Sequence, residues 1–363
     1  LSSTFGLVFA VVLPILTGTN PTLTVSAVVV LFLLVQAGFT FGIYTVAPTD
    51  PLWYHASDIR TDTTRRIQLS FAGAALGMLA LGYLSVAGWV GLGGPGLDDI
   101  IFFLDPLPME LYILVPLTPL LVPGIVIRLA ESRIRGRDEA FPSFIRALGA
   151  TESAKQSTTS KVLEQLRRKD FGVLTGDVEN LYRRLNMRIE PAEAWHYFAA
   201  ETHSYLIQKF SEMYLVGRQM GGDPQQLGEL ISENMNVVIQ LRERRKQATV
   251  TLIGMLYGIT AAATFAFFIA LKIVIILSEM SLDINMQSMQ IGQLIYTSAY
   301  DIPLIKFLLL LIVVFNGFLS AFIIRLVDGG HKGGAALHFV LLSWLGGLIA
   351  IFTRWFVGII LTV

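Results

Sequence analysis

The fold is decided by the stretch VTLIGMLYGITAAATFAFFIALKIVIIL, residues 250–277, in which Lys272 is the one charged side chain. A helix needs about 20 mostly apolar residues to cross a bilayer, and this stretch exceeds that length. It directly follows the charged run RERRKQ at residues 242–247, and no proline lies between Pro224 and Val250. We therefore expect one continuous helix that joins a charged soluble segment to a membrane span.

Composition and apolar patterning extend this prediction to the whole chain. Hydrophobic residues make up 53% of the sequence, charged residues only 15%, and the mean hydropathy is +0.62, whereas roughly a quarter of residues are charged in soluble domains. Further apolar stretches that qualify or nearly qualify as spans are residues 3–17, 23–47, 67–90, 109–127, 302–324 and 335–361. The sequence thus predicts an all-α, polytopic membrane protein with about seven transmembrane helices. The span at 109–127 contains Pro116, Pro119 and Pro123, so we expect it to be kinked.

The basic residues predict the orientation of the chain. Nineteen of the 27 lysines and arginines lie in residues 128–246, and others lie in residues 50–66 and 325–332. The alternate loops, residues 18–22, 91–108 and 278–301, contain no lysine or arginine. Because basic residues stay in cytoplasmic loops, we predict a multi-pass protein of the cell membrane with its large loop in the cytoplasm and its C-terminus outside. The chain opens on Leu1 and a short apolar run, and we expect a longer protein with a preceding cytoplasmic segment.

Three regions follow: an N-terminal membrane region of four spans (1–127), a cytoplasmic domain (128–249) and a C-terminal membrane region of three spans (250–363). Within the cytoplasmic domain, Phe141, Phe144, Ile145 and Leu148 fall on one face of a helix. Similar stripes recur, and the pair Asp223–Pro224 is typical of a helix start. The sequence therefore predicts an antiparallel bundle of about six helices.

Several classes of function lack their usual signals. The net charge is zero, which argues against nucleic-acid binding. Cysteine is absent, the five histidines have no ligand-like spacing, and neither a nucleotide-binding loop nor a nucleophile elbow occurs. We read His196 and His203, seven positions apart, as bundle histidines. The sequence predicts no enzyme, no metal site and no cofactor.

Three basic clusters are candidates for partner binding. The first comprises Arg167, Arg168 and Lys169, the second Arg183, Arg184 and Arg188, and the third Arg242, Arg244, Arg245 and Lys246. For the first two, a solvated helix face and a docking surface for an acidic partner both remain open. The third also fits the basic flank of a membrane span.

Charged residues inside membrane spans are functional hypotheses by default, and Lys272, Lys306 and Arg354 are the candidates. Snorkelling to the outer headgroups, or pairing with Glu279 or Asp301, would account for them. A transport pathway or contact with a filament are the alternatives. Trp53, Tyr54, Trp89 and Trp355 lie near predicted span ends, where an aromatic belt is expected.

Four runs in the cytoplasmic segment carry a family resemblance. They are DEAFPSFIRALG (138–149), KDFG (169–172), AWHYFAAETHSYL (194–206) and MGG (220–222). Together they resemble the archaellum (archaeal flagellum) assembly platform proteins of FlaJ/ArlJ type, within the type II secretion F-domain superfamily. The resemblance covers the bundle and the last three spans, and the first four spans fit in number and orientation.

The resemblance implies a membrane platform in a motility motor that is related to type IV pilus machines. A hexameric secretion ATPase would dock from the cytoplasm, and its cycle would drive insertion of archaellin filament subunits and rotation alongside other motor components. A homodimer would suit such a role. The platform of an archaeal adhesion pilus and, in another class, a secondary transporter remain the alternatives, and a membrane enzyme is disfavoured.

Overall fold

Helices form every regular element in the residues that the computed structural model describes, namely 21–46, 51–54, 59, 62–90, 95–101, 107–155, 159–283 and 302–361. The α-helices are α1 (Pro21–Val46), α2 (Asp62–Val90), α3 (Leu97–Ile100), α4 (Met109–Leu117), α5 (Leu121–Lys155), α6 (Thr159–Leu166), α7 (Thr175–Asn186), α8 (Pro191–Thr202), α9 (Tyr205–Gln219), α10 (Pro224–Asp283), α11 (Ile302–Asp328) and α12 (Ala335–Leu361). Short 3₁₀ turns occur at Thr118–Leu120, Gly172–Leu174 and Lys332–Gly334. The predicted all-α class is confirmed.

Six segments of the described chain are long and apolar enough to cross a membrane: Thr24–Val46, Asp62–Val90, Met109–Ala154, Pro224–Ile273, Ile302–Asp328 and Lys332–Ile359. Each coincides with a span predicted from the sequence. The additional predicted span, residues 3–17, lies outside the described residues. The chain is a polytopic helical membrane protein.

The predicted span at residues 109–127 is interrupted, as its prolines suggested. Helix α4 ends at Leu117, a 3₁₀ turn covers Thr118–Leu120, and α5 begins at Leu121. Proline lacks the amide hydrogen that an α-helix needs, which explains why the regular pattern fails here. The indole nitrogen of Trp344 donates to the Thr118 hydroxyl at 3.2 Å, so a neighbouring helix supports the irregular turn.

A bundle core forms around the predicted stripe on α5. Phe141, Phe144, Ile145 and Leu148 are fully buried, together with side chains from α6 to α10. The Phe144 ring meets the Phe171 ring edge-on with centroids 5.4 Å apart. Burying each large apolar side chain contributes about 1.5–3 kcal/mol, so this cluster is the main source of bundle stability. The six helices α5 to α10 agree with the predicted number.

Two helices run without interruption between the bundle and the membrane. Helix α10 has 60 residues, equivalent to about 90 Å at the usual rise, and it confirms the predicted continuous helix. Helix α5 has 35 residues and also crosses the boundary, which the sequence did not indicate. The divisions at 127/128 and 249/250 therefore remain predictions about membrane boundaries, since neither coincides with a chain break.

The two long helices touch backbone to backbone within the bundle. A Cβ atom at Gly228 of α10 would lie 2.7 Å from the Ile145 carbonyl oxygen of α5. A Cβ at Gly149 of α5 would in turn collide with the Pro224 carbonyl group. Glycine is therefore required on both sides of this crossing.

Candidate functional site

The first two basic clusters converge on one surface. The Glu179 carboxylate of α7 lies 3.1 Å from the Arg183 Nε atom and 3.6 Å from an Arg167 nitrogen. The Arg167 guanidinium group also stacks over the Tyr182 ring at 4.7 Å. We define the α6–α7 face by Arg167, Arg168, Lys169 and Arg183. The structure thus brings together residues that the sequence places in separate clusters.

The cations of these clusters differ in exposure. Arg168 and Lys169 are exposed, and the Arg183 side chain is 66% exposed. Arg188 is exposed just beyond the end of α7, at a left-handed backbone angle of φ 61°. Arg184 instead pairs with Glu201 and lies over the Tyr197 ring at 5.1 Å. Four of the six predicted cations therefore present charge to solvent without a buried partner.

Members of the third cluster mainly hold the protein together. Arg242 donates to Asp138 of α5 and to the Pro51 carbonyl oxygen, both at 3.2 Å. Arg245 donates to the Val327 carbonyl oxygen at the end of α11, at 2.5 Å. Lys246 lies 3.4 Å from Glu243 on its own helix, and Arg244 is exposed. A docking role for this cluster stays a prediction, and it would have to rely chiefly on Arg244 and Lys246.

A charged cavity of about 560 Å³ lies where α5, α10 and the α11–α12 hairpin meet. The charged side chains in its lining are Arg128, Glu131, Arg135, Asp138, Glu139, Arg242, Glu243, Arg245, Lys246, Arg325 and Asp328. Acids and bases are nearly balanced in this set. The bundle and the membrane helices are therefore connected by directional ion pairs at this junction, in addition to the two continuous helices.

Glu131 is the centre of the junction. Its buried carboxylate accepts from the Trp53 indole nitrogen at 3.3 Å and from the His331 backbone amide at 2.7 Å, and it contacts the Arg325 guanidinium group. Arg325 also lies 3.2 Å from Asp328. One side chain of α5 thereby ties the segment 51–54 to the α11–α12 hairpin.

The segment 51–54 also attaches to the bundle through its backbone. The Tyr54 amide donates to the His203 carbonyl oxygen at 2.8 Å, and the Tyr205 amide donates to the Leu52 carbonyl oxygen at 3.2 Å. His203 adopts a left-handed φ of 56° between α8 and α9, which exposes these backbone groups for pairing.

The predicted membrane belt position of Trp53 and Tyr54 is therefore wrong. Trp53 is only 8% exposed, and its ring meets those of His203 and His331 at centroid distances of 6.1 and 5.5 Å. The Tyr54 hydroxyl lies 3.5 Å from His196 Nδ1. Protein contacts rather than lipid headgroups surround these aromatic side chains, because the bundle folds back onto the loop that carries them.

One of the intramembrane cations has an ion pair. Arg354 contacts Glu110, which is 1% exposed; the side chains of the predicted partners Glu279 and Asp301 lie outside the described part of the structure. Glu110 lies at the start of α4, 244 positions away in the sequence, so the partner came from an element that local spacing could not identify. Lys272 and Lys306 have no ion pair within the described part of the chain.

Two buried titratable groups lie in the bundle. Burial raises the pKa of Asp177 from its ordinary value, although Arg137 lies 2.8 Å from the carboxylate and acts in the opposite direction. Burial also raises the pKa of Tyr214, as does the hydrogen bond that its hydroxyl donates to Glu152. Both groups lie in the bundle interior, and neither belongs to the α6–α7 face.

The chain resembles two curated proteins over almost its whole length. It is 28% identical over 363 residues to Flagella accessory protein J of Methanocaldococcus jannaschii, covering 100% of this chain and 63% of the relative. It is 27% identical over 353 residues to Flagella accessory protein J of Methanococcus voltae, covering 97% of this chain and 62% of the relative.

The chain thus spans under two thirds of the length of either relative. No protein-family model and no solved structure matches it. The similarity nevertheless extends through the bundle and the membrane helices alike. The resemblance read from the sequence motifs is confirmed, since the chain is similar to Flagella accessory protein J of both species.

Proposed function

We propose that the chain forms the membrane platform of an archaellum motor. In this proposal a hexameric secretion ATPase docks on the bundle from the cytoplasm, and its cycle drives assembly of archaellin subunits and rotation of the filament. The observation that carries the proposal is the unbroken α10, which joins the bundle to the membrane. The names of the relatives favour the archaellum over an adhesion pilus.

The α6–α7 face is the proposed docking surface. Arg168 and Lys169, in the turn after α6, and Arg183 on α7 present positive charge next to the buried core of the bundle. Complementary charge accelerates encounter and fixes orientation, which suits a partner that docks repeatedly during a cycle. The platform itself supplies no catalytic group in this scheme, because the ATPase provides the energy.

Movement of the docked bundle would reach the membrane through α5 and α10. The Glu131 junction adds a third connection, to the α11–α12 hairpin. A bundle tilt would therefore displace several membrane helices together, which is what insertion of a filament subunit requires. A homodimer would place two such units beneath one filament, with other motor components around them.

Docking is tested by charge reversal in the full chain, reconstituted in lipid nanodiscs with the archaellum ATPase of the same cell. Arg168→Glu with Lys169→Glu should weaken ATPase binding at least about tenfold at low salt. The matched control, Arg146→Glu with Lys209→Glu, makes the same charge change at exposed positions on α5 and α9. Equal binding by both variants would exclude the α6–α7 face as the docking surface.

The coupling of the bundle to the membrane is tested separately by interrupting α10. Gln247→Pro places a proline inside α10 between the bundle and the membrane, and an internal proline disrupts a helix by about 3 kcal/mol or more. We expect ATPase binding to persist while filament assembly and swimming are lost. Normal motility with a broken α10 would show that this helix does not transmit the movement.

Orientation can be tested because the chain contains no cysteine. Single cysteines at Lys161 in the bundle and at Pro95 in the loop before α3 can be labelled with a membrane-impermeant maleimide; both positions are exposed. We expect labelling of Pro95→Cys in intact cells and of Lys161→Cys only after permeabilisation. The reverse pattern would place the bundle outside the cell and would contradict the platform proposal.

A further inference from the structure

A cluster of charges lies at the end of the membrane helices that is remote from the bundle. It comprises Glu110 on α4, Lys272 on α10, Lys306 on α11 and Arg354 on α12, and these four helices come from both membrane regions. Arg354 contacts the buried Glu110 directly. Lys306 lies close enough to Arg354, Glu110 and Lys272 to interact electrostatically with all three.

Helix geometry places this cluster at the level of lipid headgroups. Lys306 and the basic residue Arg325 at the other end of α11 are 19 positions apart, or about 28 Å along the helix. Lys332 and Arg354 are 22 positions apart, or about 33 Å. Both spacings match the hydrocarbon thickness of about 30 Å. The cluster therefore lies at the polar boundary of the leaflet on the side away from the bundle, which we call the far leaflet.

Aromatic side chains mark the same level independently. The Trp89 ring of α2 stacks on Phe307, next to Lys306, with centroids 6.3 Å apart. Trp355 follows Arg354 and is 64% exposed. Tryptophan concentrates at the interface between hydrocarbon and headgroups, so its position agrees with the depth derived from helix length.

The charges within the cluster do not balance. Three cations surround one carboxylate, and Lys272 and Lys306 form no ion pair with any described residue. The Arg354 Nε atom and the second Glu110 oxygen are buried and have no hydrogen-bond partner in the described structure. An excess of positive charge at the edge of hydrocarbon is costly, so an anion bound between the lysines and Arg354 would stabilise the described part of this cluster.

We propose that Lys306, Arg354 and Lys272 bind the phosphate group of an anionic phospholipid in the far leaflet. Ammonium and guanidinium groups form charge-assisted hydrogen bonds with phosphate oxygens, and basic pockets between membrane helices suit headgroups of this kind. Glu110 has a positioning role, because its contact fixes the Arg354 side chain within the cluster. The acyl chains would lie along the exposed apolar surface beside Trp355.

The proposal is tested with the purified full chain in detergent, by native mass spectrometry during titration with dioleoyl phosphatidylglycerol or dioleoyl phosphatidylcholine. We expect the wild type to retain one phosphatidylglycerol preferentially. Lys272→Gln with Lys306→Gln should bind it at least about tenfold more weakly, since two charge-assisted hydrogen bonds are lost. The control Lys161→Gln with Lys209→Gln removes the same charge from the bundle and should bind as the wild type does.

Further experiments distinguish lipid binding from misfolding and from a free-phosphate site. Lys272→Arg with Lys306→Arg keeps the charge and should restore binding, which excludes misfolding as the cause of a loss. Inorganic phosphate should compete with the lipid only weakly if the membrane is the source of the anion, and full competition would identify a free-phosphate site instead. Equal retention of both lipids, or unchanged retention by the glutamine variant, would overturn the proposal. So would photo-crosslinking from position 307 that captures an acidic protein segment in cells instead of lipid.

Discussion

Replacing Glu131 should loosen the junction more than any other single change in it. Glu131→Ala removes the carboxylate that contacts Arg325, the Trp53 indole and the His331 amide. Breaking a buried ion pair costs about 3–5 kcal/mol, and the low end applies here because Arg325 keeps Asp328 as a partner. The two neutral donors add about 1 kcal/mol each. We therefore expect a total loss of about 5 kcal/mol for Glu131→Ala, by summing these terms.

Glu131→Gln separates charge from hydrogen bonding at the same position. The amide oxygen can still accept from Trp53 and His331, so only the loss of the ion pair remains, about 3 kcal/mol. Hydrogen exchange of the full chain measures both variants: amides of the α11–α12 hairpin should exchange about 100-fold faster in the glutamine variant, and faster still in the alanine variant. Amides in the bundle core around Phe144 should change little.

The matched control is Glu139, an exposed glutamate two turns further along α5 that lines the same cavity. Glu139→Gln and Glu139→Ala should change stability by no more than about 0.5 kcal/mol. If the Glu131 and Glu139 variants exchange at equal rates in the hairpin, Glu131 does not hold the junction together. The coupling route through the hairpin would then have to be abandoned, while the route through α10 would stand.

Four further substitutions test the bundle, and hydrogen exchange measures the two at glycine positions. Gly228→Ala should destabilise the crossing of the long helices by about 1–3 kcal/mol through overpacking. The control Gly176→Ala places its methyl group in open space and should be stabilising by about 0.5–1 kcal/mol. Equal effects would show that the crossing tolerates a side chain. Tyr214→Phe should cost about 1–3 kcal/mol by removing a donor to the buried Glu152, and an unchanged melting temperature would contradict this. Asp177 has a raised pKa, so its folded form binds the proton more tightly and its contribution to stability falls as pH rises above the ordinary value of 3.8. The stability of the wild type relative to Asp177→Asn should therefore decrease between acidic and neutral pH, and the opposite slope would mean that its ion pair outweighs its burial.

The helices and the bundle core could be predicted because their signals are local. The stripe from Phe141 to Leu148 has the helical period, and the structure confirms both the helix and the buried core that it predicts. The uninterrupted α10 was predicted from the absence of proline between Pro224 and Val250. The continuity of α5 past residue 127 was not predicted, and this helix accommodates Pro142 in its interior.

The contacts of the charged residues could not be predicted, because they join distant parts of the chain. Glu110 and Arg354 are 244 positions apart, and Glu131 and Arg325 are 194 apart. The position of Trp53 near a span end is compatible with an aromatic belt and with a buried contact. The backbone pairing of segment 51–54 with the turn between α8 and α9 favours the buried contact. Of the four charged residues, the sequence patterns identified only Arg354 as a candidate, and they did not identify its partner.

The crossing at Gly149 and Gly228 has a mechanical consequence. A single helix that links two bodies transmits push and pull but yields readily to twisting about its own axis. Here two long helices leave the bundle side by side, clamped together at one point by direct backbone contact. Torque applied to the bundle would therefore displace both helices sideways where they enter the bilayer.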